Sequence, residues 1–158
     1  NGAKARVYVR SFNEGASYAI LVVEEAQMAQ EVVVDASVIK KGLAAEGRIA
    51  LYGIYFDTGK SVVKPESAPT LEQIVKLLKS EPKQQLFVVG HTDGVGQADA
   101  NQKLSNDRAA AVVKELVSRG VDAGRLKAAG VGMFSPVASN RTEEGKAKNR
   151  RVELVDRL

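Results

Sequence analysis

One stretch of the chain, "VVGHTDGVGQADANQKLSNDRAAAVV", concentrates side chains with chemical potential: His91, Asp93, Asn101 and Arg108. A carboxylate and a guanidinium facing one crevice suit a ligand that carries both signs of charge. The simplest such ligand is a free amino-acid group, its ammonium beside Asp93 and its carboxylate accepting a bidentate pair from Arg108. His91 and Asp93 also form an H-x-D pair, the beginning of a metal site or of general-base chemistry. His91 is the only histidine, however, and no third ligand stands at a recognisable spacing, so no metal and no cofactor is expected. Its expected role is a hydrogen bond near a strand end. Asp57 and Asp93 together offer the two carboxylates that glycan cleavage uses. Loops of the G-x-S-x-G and Walker types are absent.

A purely structural account competes with these. Asp93 suits an Asx turn, Asn101 a helix cap or first turn, and Arg108 a salt bridge to Asp93 that ties loop to helix. Residue types and spacing alone favour this account over a binding site.

The elements that must position these residues follow from periodicity. "QQLFVVGH" is a mostly apolar strand of the kind found inside a sheet. Asp93 then lies beyond the carboxyl end of a strand and before a helix, where ligands of α/β sheets commonly bind. Gly94 and Gly96 let that loop turn and leave room for a ligand. The following helix is expected from about Asp99 to Arg119, ending at Gly120. Leu104, Ala109, Val112, Val113 and Leu116 form its apolar face, and Asn101, Leu104 and Arg108 share one stripe along its first half. Upstream, "RIALYGIYF" reads as a strand and "DTGKS" as a turn. Pro65 opens a helix with Leu71, Ile74, Val75 and Leu78 on one face. Downstream, "GRLKAAGVG" is a strand, although "RLKAAG" also suits a helix. The turn-rich "FSPVASNRTEEGKAKN" reads as loop, and "RRVELVD" as the last strand. The order βαβαβ, loop, β indicates an α/β sandwich with helices packed on a sheet.

The first 47 residues read differently. "ARVYVRSF", the turn "NEG" and "SYAILVVEE" predict a hairpin, and "EVVVDA" a third strand. Asp35 caps a short helix, "ASVIKKGLAAEG", that Gly47 ends. A hairpin and a short strand cannot bury a core alone. This β-rich segment, residues 1–47, is expected to be separate from a domain over 48–158, as a remnant of a larger domain or an edge for interaction.

Composition excludes several classes. With 158 residues and 44% hydrophobic content, the chain is long enough to bury a core. No apolar run approaches the roughly 20 residues of a membrane-spanning helix. With no cysteine there is no disulfide, thiolate catalysis or Cys-based zinc site. The net charge of +4 is interspersed with acids, and few aromatics are available to stack bases, so nucleic acid is not an expected partner.

Several motifs in order then carry a family likeness: "YFDTGKS", "GHTD", "N-x-x-L-S-x-x-R-A" and "NRRVE". From about Ile49 to Val155 the chain resembles the OmpA/MotB C-terminal family of peptidoglycan-binding domains. The resemblance implies a two-layer α/β sandwich with a mixed sheet. It also implies non-covalent, non-enzymatic binding of peptidoglycan through meso-diaminopimelate, in the periplasm of a Gram-negative envelope. Asp93 and Arg108 then match the family's clamp on the ammonium and carboxylate. Asp57, Thr58 and Gly59 of the "FD" loop, Asn101 and Arg150 match its supporting contacts. Gly59 stands where some relatives carry Asn, so any contact there comes from backbone. Lys146 replaces a usual Arg and is expected to be solvated. Other envelope proteins are implied as further partners. Replacing Asp93 or Arg108 is expected to abolish binding and leave the fold intact.

Overall fold

The computed structural model describes residues 4–12, 17–25 and 35–157. The chain divides into two compact units, Asn1–Glu31 and Val32–Leu158. In the first, strands β1 (Lys4–Phe12) and β2 (Ser17–Glu25) form an antiparallel hairpin, in register from Lys4 opposite Glu25 to Phe12 opposite Ser17. The expected "NEG" turn, and all of the expected third strand before Asp35, lie outside the described residues.

The second unit begins with helix α1 (Ala36–Glu46). Asp35 caps it, its carboxylate accepting from the Ser37 and Val38 amides at 2.7 and 3.0 Å. Gly47 closes it in the left-handed conformation. Ile39 and Leu43, one turn apart, are 0% and 5% exposed and belong to the same core as the sheet. The helix that sequence patterning places in the N-terminal segment is therefore part of the unit that holds the sheet.

That sheet has four strands in the order β3-β6-β4-β5. These are β3 (Arg48–Leu51), β4 (Leu86–Gly90), β5 (Leu126–Gly130) and β6 (Val152–Asp156). β4 and β5 run parallel, while β6 is antiparallel to both β3 and β4. The sheet is thus mixed, as the family likeness implies, and "LKAAG" is strand rather than helix. Helix α2 (Ala68–Ser80), entered through a 3₁₀ turn at Pro65–Ser67, buries Leu71, Ile74, Val75, Leu77 and Leu78. Helix α3 (Ala98–Ser118) buries Ala109, Val112 and Leu116. These side chains meet Leu86, Val88, Val152 and Leu154 of the sheet in one apolar core.

Two expectations change. The strand predicted over 48–56 stops at Leu51, which pairs with Val152, the first residue of β6. Beyond that point 52–55 has no strand partner, and Phe56 makes only an isolated bridge to Val63. The loop expected before the last strand contains a short helix, α4 (Glu143–Asn149). Thr142 caps it by accepting from the Gly145 amide at 3.1 Å, and Glu143 and Glu144 oppose the helix dipole in its first turn.

The first half of α3 is held hard against the ends of β4 and β5. A Cβ on Gly90 would lie 2.2 Å from the Ser105 carbonyl oxygen, and one on Gly130 2.3 Å from the Asn106 nitrogen. Only glycine permits that approach. Gln102 Nε2 donates to the Gly130 carbonyl, and Ser105 Oγ accepts from the Gly132 amide at 2.8 Å. These bonds fix the rotation of α3, and with it the direction of Asn101 and Arg108.

Candidate functional site

An open groove of about 1140 Å³ lies at the carboxyl end of β4. Its floor comprises Gly90–Asp93 and the entry to β6 at Arg150–Val152. One wall is the first half of α3, with Asn101, Leu104 and Arg108. The segment after β3 supplies another, with Tyr52, Tyr55, Phe56, Thr58 and Gly59. Helix α4 closes the remaining side with Glu143, Glu144, Lys146 and Lys148.

Six of the seven residues expected from the family likeness to contact ligand line this groove: Asp93, Arg108, Asn101, Arg150, Thr58 and Gly59. Asp57 does not line it. Its carboxylate pairs with Lys60 at 3.3 Å and Lys64 at 3.8 Å, and only its carbonyl serves the site. Gly59 has φ +69°, a conformation suited to glycine, so the loop presents backbone there.

Arg108 is only 8% exposed. A guanidinium buried to that degree needs acceptors or a π face. Its Nε donates to the Lys60 carbonyl at 2.9 Å and one Nη to the Asp57 carbonyl at 3.2 Å. The guanidinium also sits 4.9 Å from the centre of the Phe56 ring. Burial pushes its pKa below the usual arginine value; the Asp93 carboxylate raises it and the Arg150 guanidinium lowers it. An arginine stays charged regardless. The salt bridge between Arg108 and Asp93, expected on structural grounds, is replaced by another pairing. Asp93 Oδ2 accepts from Arg150 at 2.7 Å, and Oδ1 accepts from the Val95 amide at 3.1 Å, closing an Asx turn. Asn101, expected as a cap or first-turn residue, lies in the first turn of α3 and donates its side-chain amide to the Val95 carbonyl at 2.8 Å, holding the same loop from the α3 side.

A second support was not apparent from sequence. Asn149, fully buried, accepts from the Val137 and Ala138 amides and donates to the Ala138 carbonyl and to Asn140 Oδ1. Asn140 Oδ1 in turn accepts from the Gly94 amide at 3.0 Å. The space expected at Gly94 is therefore taken by Asn140, whose side chain lies 3.0 Å from where a Cβ would be. Lys146 is not freely solvated either: its Nζ pairs with Glu143 at 2.8 Å on the groove wall.

His91 departs from expectation. It is 4% exposed, and neither ring nitrogen finds a hydrogen-bond partner among the described residues. Its Nε2 is 3.7 Å from Glu153, which Arg151 holds through bonds of 2.8 and 2.7 Å. Burial and then Arg151 lower the imidazole pKa to about 4, against the opposing pull of Glu153. Among the described residues no cluster of metal-ligating side chains occurs. No described helix is long and apolar enough to cross a membrane.

Comparison with known proteins places the chain among relatives. The OmpA family model matches residues 55–150. The chain is 45% identical over 102 residues to the probable lipoprotein YiaD of Escherichia coli K12, covering 65% of this chain and 47% of that one. It is 43% identical over 100 residues to outer membrane protein A of Bordetella avium, covering 63% and 52%. The chain thus spans about half the length of these curated relatives. Among solved structures, the peptidoglycan-associated lipoprotein of Burkholderia pseudomallei superposes with a TM-score of 0.61 at 34% identity, covering 66% of this chain and 88% of that one. The cell wall anchor of the T6SS from Pseudomonas aeruginosa does so with a TM-score of 0.60 at 29% identity, covering 78% and 96%.

Proposed function

This chain belongs to the OmpA family, and on that premise we propose that it binds bacterial peptidoglycan non-covalently through meso-diaminopimelate. In this reading it tethers an envelope protein to the cell wall in the Gram-negative periplasm. The observation that carries the proposal is the juxtaposition of opposite charges in one groove. Asp93 and Arg108 line it together, close enough for the Asp93 carboxylate to act on Arg108 electrostatically. The free amino-acid head of diaminopimelate has the matching ammonium and carboxylate. Thr58, the Gly59 backbone, Asn101 and Arg150 surround the same space, and Asp57 contributes by holding Arg108.

The site suits a binder rather than an enzyme. The His91 ring nitrogens are sealed from the groove and so do not reach a substrate proton. The Asp57 carboxylate is engaged with lysines outside the groove lining, so it does not form a cleaving pair with Asp93.

The test is a calorimetric titration with the soluble stem tripeptide L-Ala–D-Glu–meso-diaminopimelate, beside its lysine analogue. Lysine keeps the ammonium and lacks the distal carboxylate, leaving Arg108 without its anion. Loss of one charge-assisted contact is worth about 1.5–3 kcal/mol, so the analogue should bind roughly 10- to 100-fold more weakly. Equal affinity for the two peptides overturns the assignment.

A further inference from the structure

The groove is larger than the ligand group its charged clamp would hold. Pockets that enclose whole drug-sized molecules run from about 300 to 1,000 Å³, and this groove reaches about 1140 Å³. The clamp residues Asp93, Asn101 and Arg108 share the groove with α4 and with the segment after β3, whose Phe56 ring and Asp57 and Lys60 carbonyls hold Arg108. Earlier in that segment, between β3 and Phe56, two large aromatic side chains of the groove lining are open to solvent: Tyr52 is 52% exposed and Tyr55 36%.

Both are displayed from ordered backbone. Tyr52 directly follows Leu51, which is locked opposite Val152 in the sheet. Tyr55 has its amide bonded to the buried Ser67 hydroxyl at 2.8 Å and its carbonyl to the Lys64 amide at 3.0 Å. A tyrosine on a rigid backbone offers a large contact face with few rotamers to freeze and a polar tip that tolerates water. Pyranose rings complement such a face, because their axial C–H groups form an apolar side while their hydroxyls point outward. In peptidoglycan the stem peptide hangs from an N-acetylated sugar, so a groove that grips the peptide brings the glycan within reach of its other lining residues.

We propose that Tyr52 is a glycan-contact subsite. The sugar that carries the stem peptide lays its C–H face on the Tyr52 ring, and Tyr55 flanks the peptide's path from there to the clamp. This rests on the peptidoglycan reading above and adds a second ligand class, an N-acetylated pyranose, to the same groove.

The experiment compares two ligands on one protein: the free stem tripeptide and the same tripeptide carrying its disaccharide. The ratio of their dissociation constants reads the subsite independently of the clamp. In the unaltered chain the sugar should tighten binding about three- to tenfold. Tyr52→Ala should bring the ratio to near one, and Tyr52→Phe, which keeps the ring, should preserve it. If the disaccharide adds nothing to the unaltered chain, the subsite is overturned and the clamp stands. If Tyr52→Ala weakens both ligands equally, Tyr52 acts structurally and the subsite is overturned. If neither ligand binds, both readings fall.

Discussion

At the scale of single residues, the two halves of the charged clamp differ in what else they do. Asp93 is held by a partly exposed pair with Arg150 and by its own turn, and such a pair contributes only about 0–1 kcal/mol. Arg108 is buried and satisfies two carbonyls of the 57–60 loop. These differences predict that the Asp93 substitution alone spares the fold. Asp93→Asn should abolish tripeptide binding while shifting the urea-unfolding free energy by less than about 1 kcal/mol. Arg108→Ala should abolish binding and also lower stability by about 1–3 kcal/mol, because it removes two charge-assisted bonds to the 57–60 loop and the contact with the Phe56 ring. Equal stability of the two variants would show that Arg108 does not organise the loop. His91 makes a separate prediction. Its folded pKa is about 4, below the ordinary 6.5, so between these values the unfolded chain binds a proton that the folded chain rejects. Stability then rises with pH across that window and is lost as pH falls from 6.5 toward 4, by up to about 3 kcal/mol. Unfolding measured at pH 7 and pH 4.5 should show this loss, and His91→Gln should remove its share of it. An identical acid loss in both proteins would mean that His91 is not buried neutral.

At the scale of elements, the loop carrying Asp93 is held from two sides. Asn101 grips it from α3 through the Val95 carbonyl, and Asn149, just before β6, reaches it through Asn140 and the Gly94 amide. Asn140→Ala breaks the second hold at a partly exposed position. It should weaken tripeptide binding at least several-fold while leaving the apolar core, and most of the unfolding free energy, intact. If stability falls and affinity does not, the contact serves folding and not the site. These elements were unequally legible in the sequence. α2 carries strong apolar periodicity, and α3 carries enough to set Ala109, Val112 and Leu116 on one face and with it the stripe of Asn101, Leu104 and Arg108. Helix α4 has only seven residues and buries only Gly145 and Asn149, so it casts no apolar pattern. Its one signal was Thr142 followed by two glutamates, a cap with acids in the first turn. The early end of β3 was hidden because "RIALYGIYF" looks continuous, and only the partner strand's starting point sets where pairing stops. Asn149 was masked by its position inside a charged run that reads as solvated. The Arg150–Asp93 pairing joins residues 57 apart in sequence, which no local pattern reveals.

At the scale of the whole molecule, the family region and the folding unit have different starting points. Family likeness starts near residue 49 in the sequence and at 55 in the matched model, and both leave α1 outside. Packing includes it: Ile39 and Leu43 are buried among the core residues of the sheet and α2. We therefore propose that the autonomous unit starts at Val32, with the hairpin Lys4–Glu25 dispensable to it. Removing a buried Ile or Leu side chain costs about 2–5 kcal/mol, and deleting α1 removes two at once and exposes the surface they covered. That is comparable with the total stability of a domain this size, roughly 5–15 kcal/mol. A fragment beginning at Val32 should unfold in one cooperative transition and keep the tripeptide affinity of the full chain. One beginning at Arg48, which retains every clamp residue and the entire matched family region, should lose cooperative unfolding or have its urea midpoint sharply lowered. If the Arg48 fragment is as stable as the Val32 fragment, α1 is an accessory to the fold. If the Val32 fragment fails to fold alone, the hairpin belongs to the unit after all.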